Sequence, residues 1–330
     1  MARTRYASDP GLIARMGATM FLMGLLFAGF GTGLVYLIVT YATRSHHQGD
    51  GLSAGSFIVF AALIGVGSAV ASYYWSDKIA LRTSGARLVQ PGDSDEARRL
   101  HEIVDRLCAL ADMPKPRVAI APTNMPNAFA TGRSSKVAVL CATRGIMAKL
   151  DNEELEGVLA HEMSHVAHKD VAVMTVASVL GIVAALMVRF AFYSELFGGG
   201  GRGRGGNGGQ NQSALLIFPI MILSMCVYVI SFLLIRLLSR YRELAADRAG
   251  ALLTGQPSAL ASALQKVSGS MNAIPTKDLR AAEPLNAFYF IPAFKKSEKG
   301  GFSLNNLFST HPSLERRLRQ LSEISEQLSR

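Results

Sequence analysis

Charge is scarce in this chain of 330 residues: Asp, Glu, Lys and Arg together make up 18% of it, against 49% hydrophobic residues and a mean hydropathy of +0.25. Soluble domains carry about 25% charged residues, so the shortfall predicts that part of the chain lives in lipid, and the apolar content excludes a disordered or collagen-like chain. Cysteine is nearly absent. Cys108, Cys141 and Cys226 lie too far apart for a CxxC pair or a zinc knuckle, and an odd number cannot close a disulfide framework, which fits a reducing compartment. Runs of five basic residues and basic–aromatic alternation are also missing, so a net charge of +10 and a pI near 9.7 do not signal nucleic acid.

What the chain does have is four long apolar stretches. Met16 to Ala42 and Ala54 to Trp75 hold no charge, and each reaches the ~20 residues that cross a bilayer as a helix. The second closes on Tyr73, Tyr74 and Trp75, amphipathic rings of the kind that collect at membrane interfaces. Val171 to Tyr193 is interrupted only by Arg189 near its end, where a long side chain can snorkel, and Ala214 to Ile235 is the fourth. A buried helical hairpin is the alternative for the last two, but their length favours lipid. Between them, Gly198 to Gln212 carries nine glycines in its first twelve residues and predicts a disordered spacer. The first apolar run starts after fifteen residues and is too long for the core of a cleaved signal peptide.

Lys and Arg distribute unevenly over the segments that four spans create. Three fall in the amino-terminal tail, thirteen between Trp75 and Asp170 and fourteen from Arg236 onward, but only Arg44, Arg202 and Arg204 in the two loops on the other side. Near the span ends, Arg15, Lys78, Arg82, Lys169, Arg236, Arg240 and Arg242 all fall on one side. The positive-inside rule makes that side cytoplasmic, together with both termini.

Asp77 to Asp170 reads as a small folded unit, with helical apolar spacing over Ser94 to Ala111 and short strands at Arg117 to Ile120 and Val137 to Cys141. It closes on DNEELEGVLAHEMSHVAHKD, in which Asp151 and Glu154 resemble a capping box opening a helix. On that helix HEMSH sets His161 and His165 four residues apart, on one face. Two neutral imidazoles at that spacing grip one zinc ion. Glu162, beside the first, can take a proton from the water that zinc acidifies and pass it to the leaving amine of a peptide. A solvated helix face bearing two histidines is the plain alternative, and a third ligand decides between them.

Glu243, in SRYRELAADRAG, stands five residues past Leu238, roughly 7 Å of helix rise, and His165 stands six residues before Val171, roughly 9 Å. Two antiparallel spans therefore carry both histidines and Glu243 to nearly the same height on the same side of the membrane. Asp247, four residues after Glu243, is suited to accept a hydrogen bond from a ligand histidine and fix its tautomer. An ion-paired helix among Arg240, Arg242 and Arg248 is the alternative reading of both acids. His168 lies roughly 10 Å along the helix axis from His161 and cannot share a metal with it, so it reads as a polar surface residue near the headgroups. His101 reads as solvated, and His46 and His47 as loop residues in the other compartment.

These residues resemble the HtpX-type membrane metalloproteases, relatives of the CAAX prenyl proteases. The likeness runs from about Ser76 to Leu321 through NAFATG (Asn127 to Gly132), LEGVLAHEMSHVAHKD (Leu155 to Asp170), SRYRELAAD (Ser239 to Asp247) and STHPSLERRLRQL (Ser309 to Leu321). It implies a zinc endopeptidase with His161, His165 and Glu243 as ligands of one zinc ion and Glu162 as the catalytic base. It also implies His311 as a stabiliser of the transition state or substrate. Asn127, Ala128 and Phe129 become part of an edge strand that pairs with the substrate backbone. Pro312 suits the first position of a helix, so His311 would sit beside a positively polarised helix start, where simple capping is the competing role. An interior strand with Phe129 in the core is the competing reading of NAF.

The expected fold is mainly α: a four-span helical membrane protein with a cytoplasmic zincin-like α+β metalloprotease domain, built from Asp77 to Asp170 and Arg236 to Arg330. The expected substrates are polypeptides of the membrane or misfolded membrane-associated proteins. A prenyl-protease-like processing enzyme is a neighbouring reading, although that branch is expected to have more spans in a longer chain. A non-catalytic membrane adaptor has no need of the base as well as the ligands, and a transporter would place ionisable groups deeper in its spans than Arg189.

Overall fold

The computed structural model describes residues 10–44, 54–198, 210–273 and 311–330. His46, His47 and residues 199–209 of the glycine-rich stretch lie outside the described residues. The chain divides into two compact units: Met1–Met16, Tyr73–Val173 and Arg236–Arg330 make one, Gly17–Ser72 and Met174–Ile235 the other.

The second unit is helical. Its segments belong to α1 (Pro10–Arg44), α2 (Ala54–Ser84), α6 (Asp170–Gly198) and α7 (Gln210–Thr254). Phe30 and Leu34 pack with Leu180, Val183, Met187, Ile220 and Val227, while Phe21, Leu25, Leu63, Phe218 and Ile222 stay exposed. Exposed apolar surface on that scale is what lipid, not water, tolerates. Among the described residues three windows are long and apolar enough to cross a membrane: Ile13–Leu34, Asp170–Arg189 and Phe218–Thr254. The remaining apolar stretch opens α2, where the side chains of residues 54–62 lie outside those described.

The first unit is an α+β fold around a four-stranded sheet in the order β1 (Arg87–Leu88), β2 (Arg117–Ala121), β4 (Val139–Thr143) and β3 (Ala128–Thr131). The inner pair β2 and β4 is parallel, and β1 and β3 flank it antiparallel. Period-two alternation sorts the strand side chains between two cores. Val118, Ile120, Leu140 and Ala142 join the larger one, with Leu100, Ile103 and Leu107 of α3 (Asp95–Ala111) and Leu155 and Leu159 of α5 (Asn152–Ala167). Ala119, Ala121, Phe129, Val139 and Cys141 face the other way and pack on Ala80 of α2. α4 (Arg144–Lys149) links β4 to α5, while α8 (Pro257–Ala273) and α9 (Leu314–Leu328) close the larger core through Leu260, Leu264, Leu321 and Ile324. Each such leucine or isoleucine removed from water contributes about 1.5–3 kcal/mol.

Local chemistry explains the element ends. The Ser94 side chain accepts from the Ala97 N–H to start α3, and Asp112 ends it in a left-handed conformation. At α5, Asp151 accepts from the Glu154 N–H at 2.9 Å and Glu154 accepts from the Asp151 N–H at 3.2 Å, a full capping box. One expectation fails here. His101 is buried, 7% exposed, with Nε2 2.9 Å from the Val89 carbonyl, because the segment after β1 folds over the α3 face that a lone helix would leave to solvent.

Candidate active site

α5 is buried on nearly every side from Glu154 to Ser164, so its polar residues sit inside the protein and must find partners there. α7 crosses it closely. A Cβ on Gly250 would lie 2.9 Å from the backbone nitrogen of His161 and 3.2 Å from its Cα. Only glycine permits that approach, and it brings Glu243 and Asp247, two turns and one turn earlier on α7, against the histidines of α5.

The three acceptor groups converge. His161 Nε2 and His165 Nε2 are 3.3 Å apart, and Glu243 places Oε2 3.6 Å from the first and Oε1 3.5 Å from the second. A metal ion with bonds of about 2.0–2.1 Å at tetrahedral angles needs its donors about 3.3–3.4 Å apart, so this set of two imidazoles and a carboxylate fits one.

Each histidine is held from behind by a carboxylate that is itself held by an arginine. His161 Nδ1 lies 2.9 Å from Asp247 Oδ1, and Asp247 accepts two hydrogen bonds from the fully buried Arg317, at 2.7 and 2.6 Å. His165 Nδ1 bonds Asp170 Oδ2 at 2.5 Å, and Arg242 meets the same oxygen at 2.7 Å. The carboxylates fix which ring nitrogen carries the proton and leave both Nε2 atoms for a metal. Burial pulls the His161 pKa down, but the hydrogen bond and charge of Asp247, aided by Glu243, outweigh it and hold it at about 9. Burial lowers the Arg317 pKa and the charge of Asp247 raises it further, so the guanidinium stays charged.

Glu162 is buried one residue after His161 and accepts from the Ala130 N–H at 3.1 Å. Burial raises its pKa above the ordinary carboxylate value although His161 and His165 pull the other way. Ala130 belongs to β3, the outer strand of the sheet. The Asn127 N–H and carbonyl both bond Thr143 on the β4 side, and the Phe129 side chain lies in the core. By antiparallel alternation, Ala128 and Ala130 turn their backbone groups outward.

His311 is buried, with Nδ1 3.1 Å from Glu243 Oε2. It does not cap α9. Ser313 does, accepting from the Arg316 N–H, which moves the helix start two residues beyond Pro312. His168 closes α5 and is exposed. Cys108 and Cys141 are buried, and burial pushes their thiols up to about 11 and about 12, so neither is poised as a nucleophile.

Residues 94–325 match peptidase family M48. The chain belongs to that family. As an M48 peptidase it is a metalloprotease, and its long apolar helices make it a membrane protein. Over 326 residues it is 52% identical to Protease HtpX homolog 1 of Streptomyces coelicolor, covering 99% of this chain and 97% of that one. Protease HtpX homolog of Moorella thermoacetica is 46% identical over 328 residues, covering 99% and 98%. The solved structure of S. mikatae Ste24p has a similar fold, with a TM-score of 0.50 at 17% identity, covering 93% of the M48 chain and 67% of that chain.

Asp170, Arg242 and Arg317 are the supporting residues that sequence reasoning missed. The signal for Asp170 was its place five residues after His165, a spacing that a continuous helix would turn to another face. The helix is not continuous. Lys169 takes a left-handed conformation, φ 55°, and turns the start of α6 back toward His165.

Proposed function

We propose that this M48 peptidase is a zinc-dependent endopeptidase that cuts membrane or misfolded membrane-associated proteins. In this reading the chain has four spans, and the α+β unit and both termini lie in the cytoplasm. The triangle of His161, His165 and Glu243, with Glu162 beside it and β3 alongside, is the observation that carries the chemistry. Zinc held by those three residues would supply the Lewis acidity that polarises a scissile carbonyl and makes water acidic near neutral pH.

The chain's own residues do the rest. An extended substrate strand pairs with the outward backbone groups of Ala128 on the edge of β3, which fixes the scissile bond in register. Glu162, with its pKa raised by burial, takes the proton of the attacking water and delivers it to the leaving amine. The Ala130 N–H steadies Glu162 in place. His311, anchored on Glu243, donates a hydrogen bond from its other ring nitrogen to the carbonyl oxygen as charge develops there. Asp247 with Arg317 and Asp170 with Arg242 hold the ligand rings still.

The substrate class is tested by comparing membrane proteomes of cells carrying the active enzyme and Glu162→Gln. Membrane proteins should accumulate uncut in the variant, and identical proteomes would overturn that class. Metal analysis of the purified protein should find zinc, one per chain, and another metal in its place would overturn the cofactor. Reporter fusions at the carboxy terminus and beside His46 should report opposite compartments.

A further inference from the structure

Away from the catalytic residues, the end of α2 and the loop between β3 and β4 enclose an open cleft of about 490 Å³, within the ~300–1,000 Å³ range of ligand pockets. None of the proposed ligands or catalytic residues lines it. Four cations do: Lys78, Arg117, Arg133 and Lys136. Among the described residues the one lining carboxylate is Asp77, and Arg117 takes it at 2.7 Å while also donating to the Val137 carbonyl at 2.8 Å. Three cations therefore converge on the cleft with no lining carboxylate left to neutralise them.

The cleft is built rather than incidental. The Arg133 guanidinium lies over the Tyr74 ring, 4.9 Å from its centroid, and the Tyr73 hydroxyl donates to the Arg133 carbonyl at 3.5 Å. These contacts tie the loop to α2. Gly132 enters the loop at φ 125°, and a Cβ there would meet the Ala138 Cα at 2.8 Å, so the turn is fixed by a residue no other side chain replaces. Tyr74 and Trp75 also line the cleft, and both are more than half exposed. Along the sequence they close an uncharged apolar stretch, the place where aromatic rings settle at the headgroup level of a bilayer.

We propose that this cleft binds the phosphate of an anionic lipid headgroup. Arg133 supplies a planar fork that matches phosphate oxygens, Lys78 and Lys136 act as point charges, and the two aromatic rings lie among the headgroups. Free phosphate would share the ionic contacts but would have no use for the exposed rings beside them. The site has a direct path to the catalytic machinery, because the loop it grips continues from β3, whose Ala130 N–H holds Glu162. Headgroup binding thus braces the strand on which the substrate is proposed to lie. The inference rests on the chain being membrane-embedded, not on the identity of its substrates.

Trp75 is the one tryptophan of the chain, so intrinsic fluorescence reports on this cleft directly. The full-length protein is placed in nanodiscs of phosphatidylcholine and of phosphatidylcholine with rising phosphatidylglycerol. Incorporation into the neutral discs checks the membrane reading by itself. A saturable change in Trp75 emission with phosphatidylglycerol is expected, weakened on the order of ten- to a hundredfold in the double variant Arg133→Gln, Lys136→Gln and less in Lys78→Gln. Bound metal and circular dichroism show that each variant is folded. Equal emission in both lipids, or an unchanged titration in the folded variants, overturns the proposal. So does the same saturable change with inorganic phosphate alone, which would make it a free-anion site, or with a polyglutamate peptide in neutral discs, which would make it a peptide site.

Discussion

His165 Nδ1 lies 2.5 Å from Asp170 Oδ2, and Arg242 reaches the same oxygen from α7, one residue before Glu243. One carboxylate thus ties the second histidine of HEMSH to the helix that carries Glu243. Replacing Asp170 with Asn keeps the size but removes the charge that orients the ring and satisfies Arg242. Metal affinity, measured by competition with a chelator, should fall about 10- to 100-fold. An affinity within twofold of the parent would show that the contact does not hold the His165 ring for a metal.

Gly250→Ala tests the helix crossing. Alanine normally gains about 1 kcal/mol over glycine inside a helix, but here its Cβ would meet the His161 backbone nitrogen at 2.9 Å. Backbone cannot move aside as a flexible side chain would, so overpacking wins. Thermal unfolding should show a loss of about 1–3 kcal/mol, with weaker metal binding. A stabilised, metal-competent Gly250→Ala would contradict the close approach of α7 to α5.

The His161 pKa is raised from 6.5 to about 9 in the metal-free protein. By linkage, this group's contribution to metal-free stability is full below 6.5 and lost as pH rises through about 9. Metal needs the neutral ring, so its binding runs the opposite way: affinity climbs from pH 6.5 to about 9, and near pH 7 uptake releases about one proton from this site. Calorimetry of metal uptake in buffers of different ionisation enthalpy counts that proton. A pH-independent affinity across the window would contradict the geometry around Asp247.

Truncating His311 separates catalysis from binding. The His311→Ala enzyme should keep its metal and its KM while kcat falls about 10²- to 10³-fold, the loss typical of one oxyanion donor. A change in KM alone would assign His311 to substrate binding instead.

Much of the site was legible because its logic is local or periodic. The four-residue spacing of His161 and His165 fixes a shared face, and helix rise counted from the apolar segments sets Glu243 at the same height. The capping box at Asp151 was equally plain, since both of its partners lie within four residues. What stayed hidden depends on breaks in periodicity or on distant chain. Asp170 faces His165 only because Lys169 leaves the helix, and Arg317 meets Asp247 across 70 residues of sequence. His101 was misread because its cover, the Val89 carbonyl, comes from an irregular segment that no period announces. The cap of α9 was misplaced because Pro312 is compatible with a helix start without requiring one, and Ser313 makes the hydrogen bond.

In the proposed mechanism Glu162 moves the proton while His161, His165 and Glu243 hold the metal. The most direct measurement is cleavage of a membrane protein substrate by purified Glu162→Gln alongside its metal content. Full metal occupancy with cleavage reduced below detection is expected. Undiminished cleavage by the metal-loaded Glu162→Gln enzyme would contradict it.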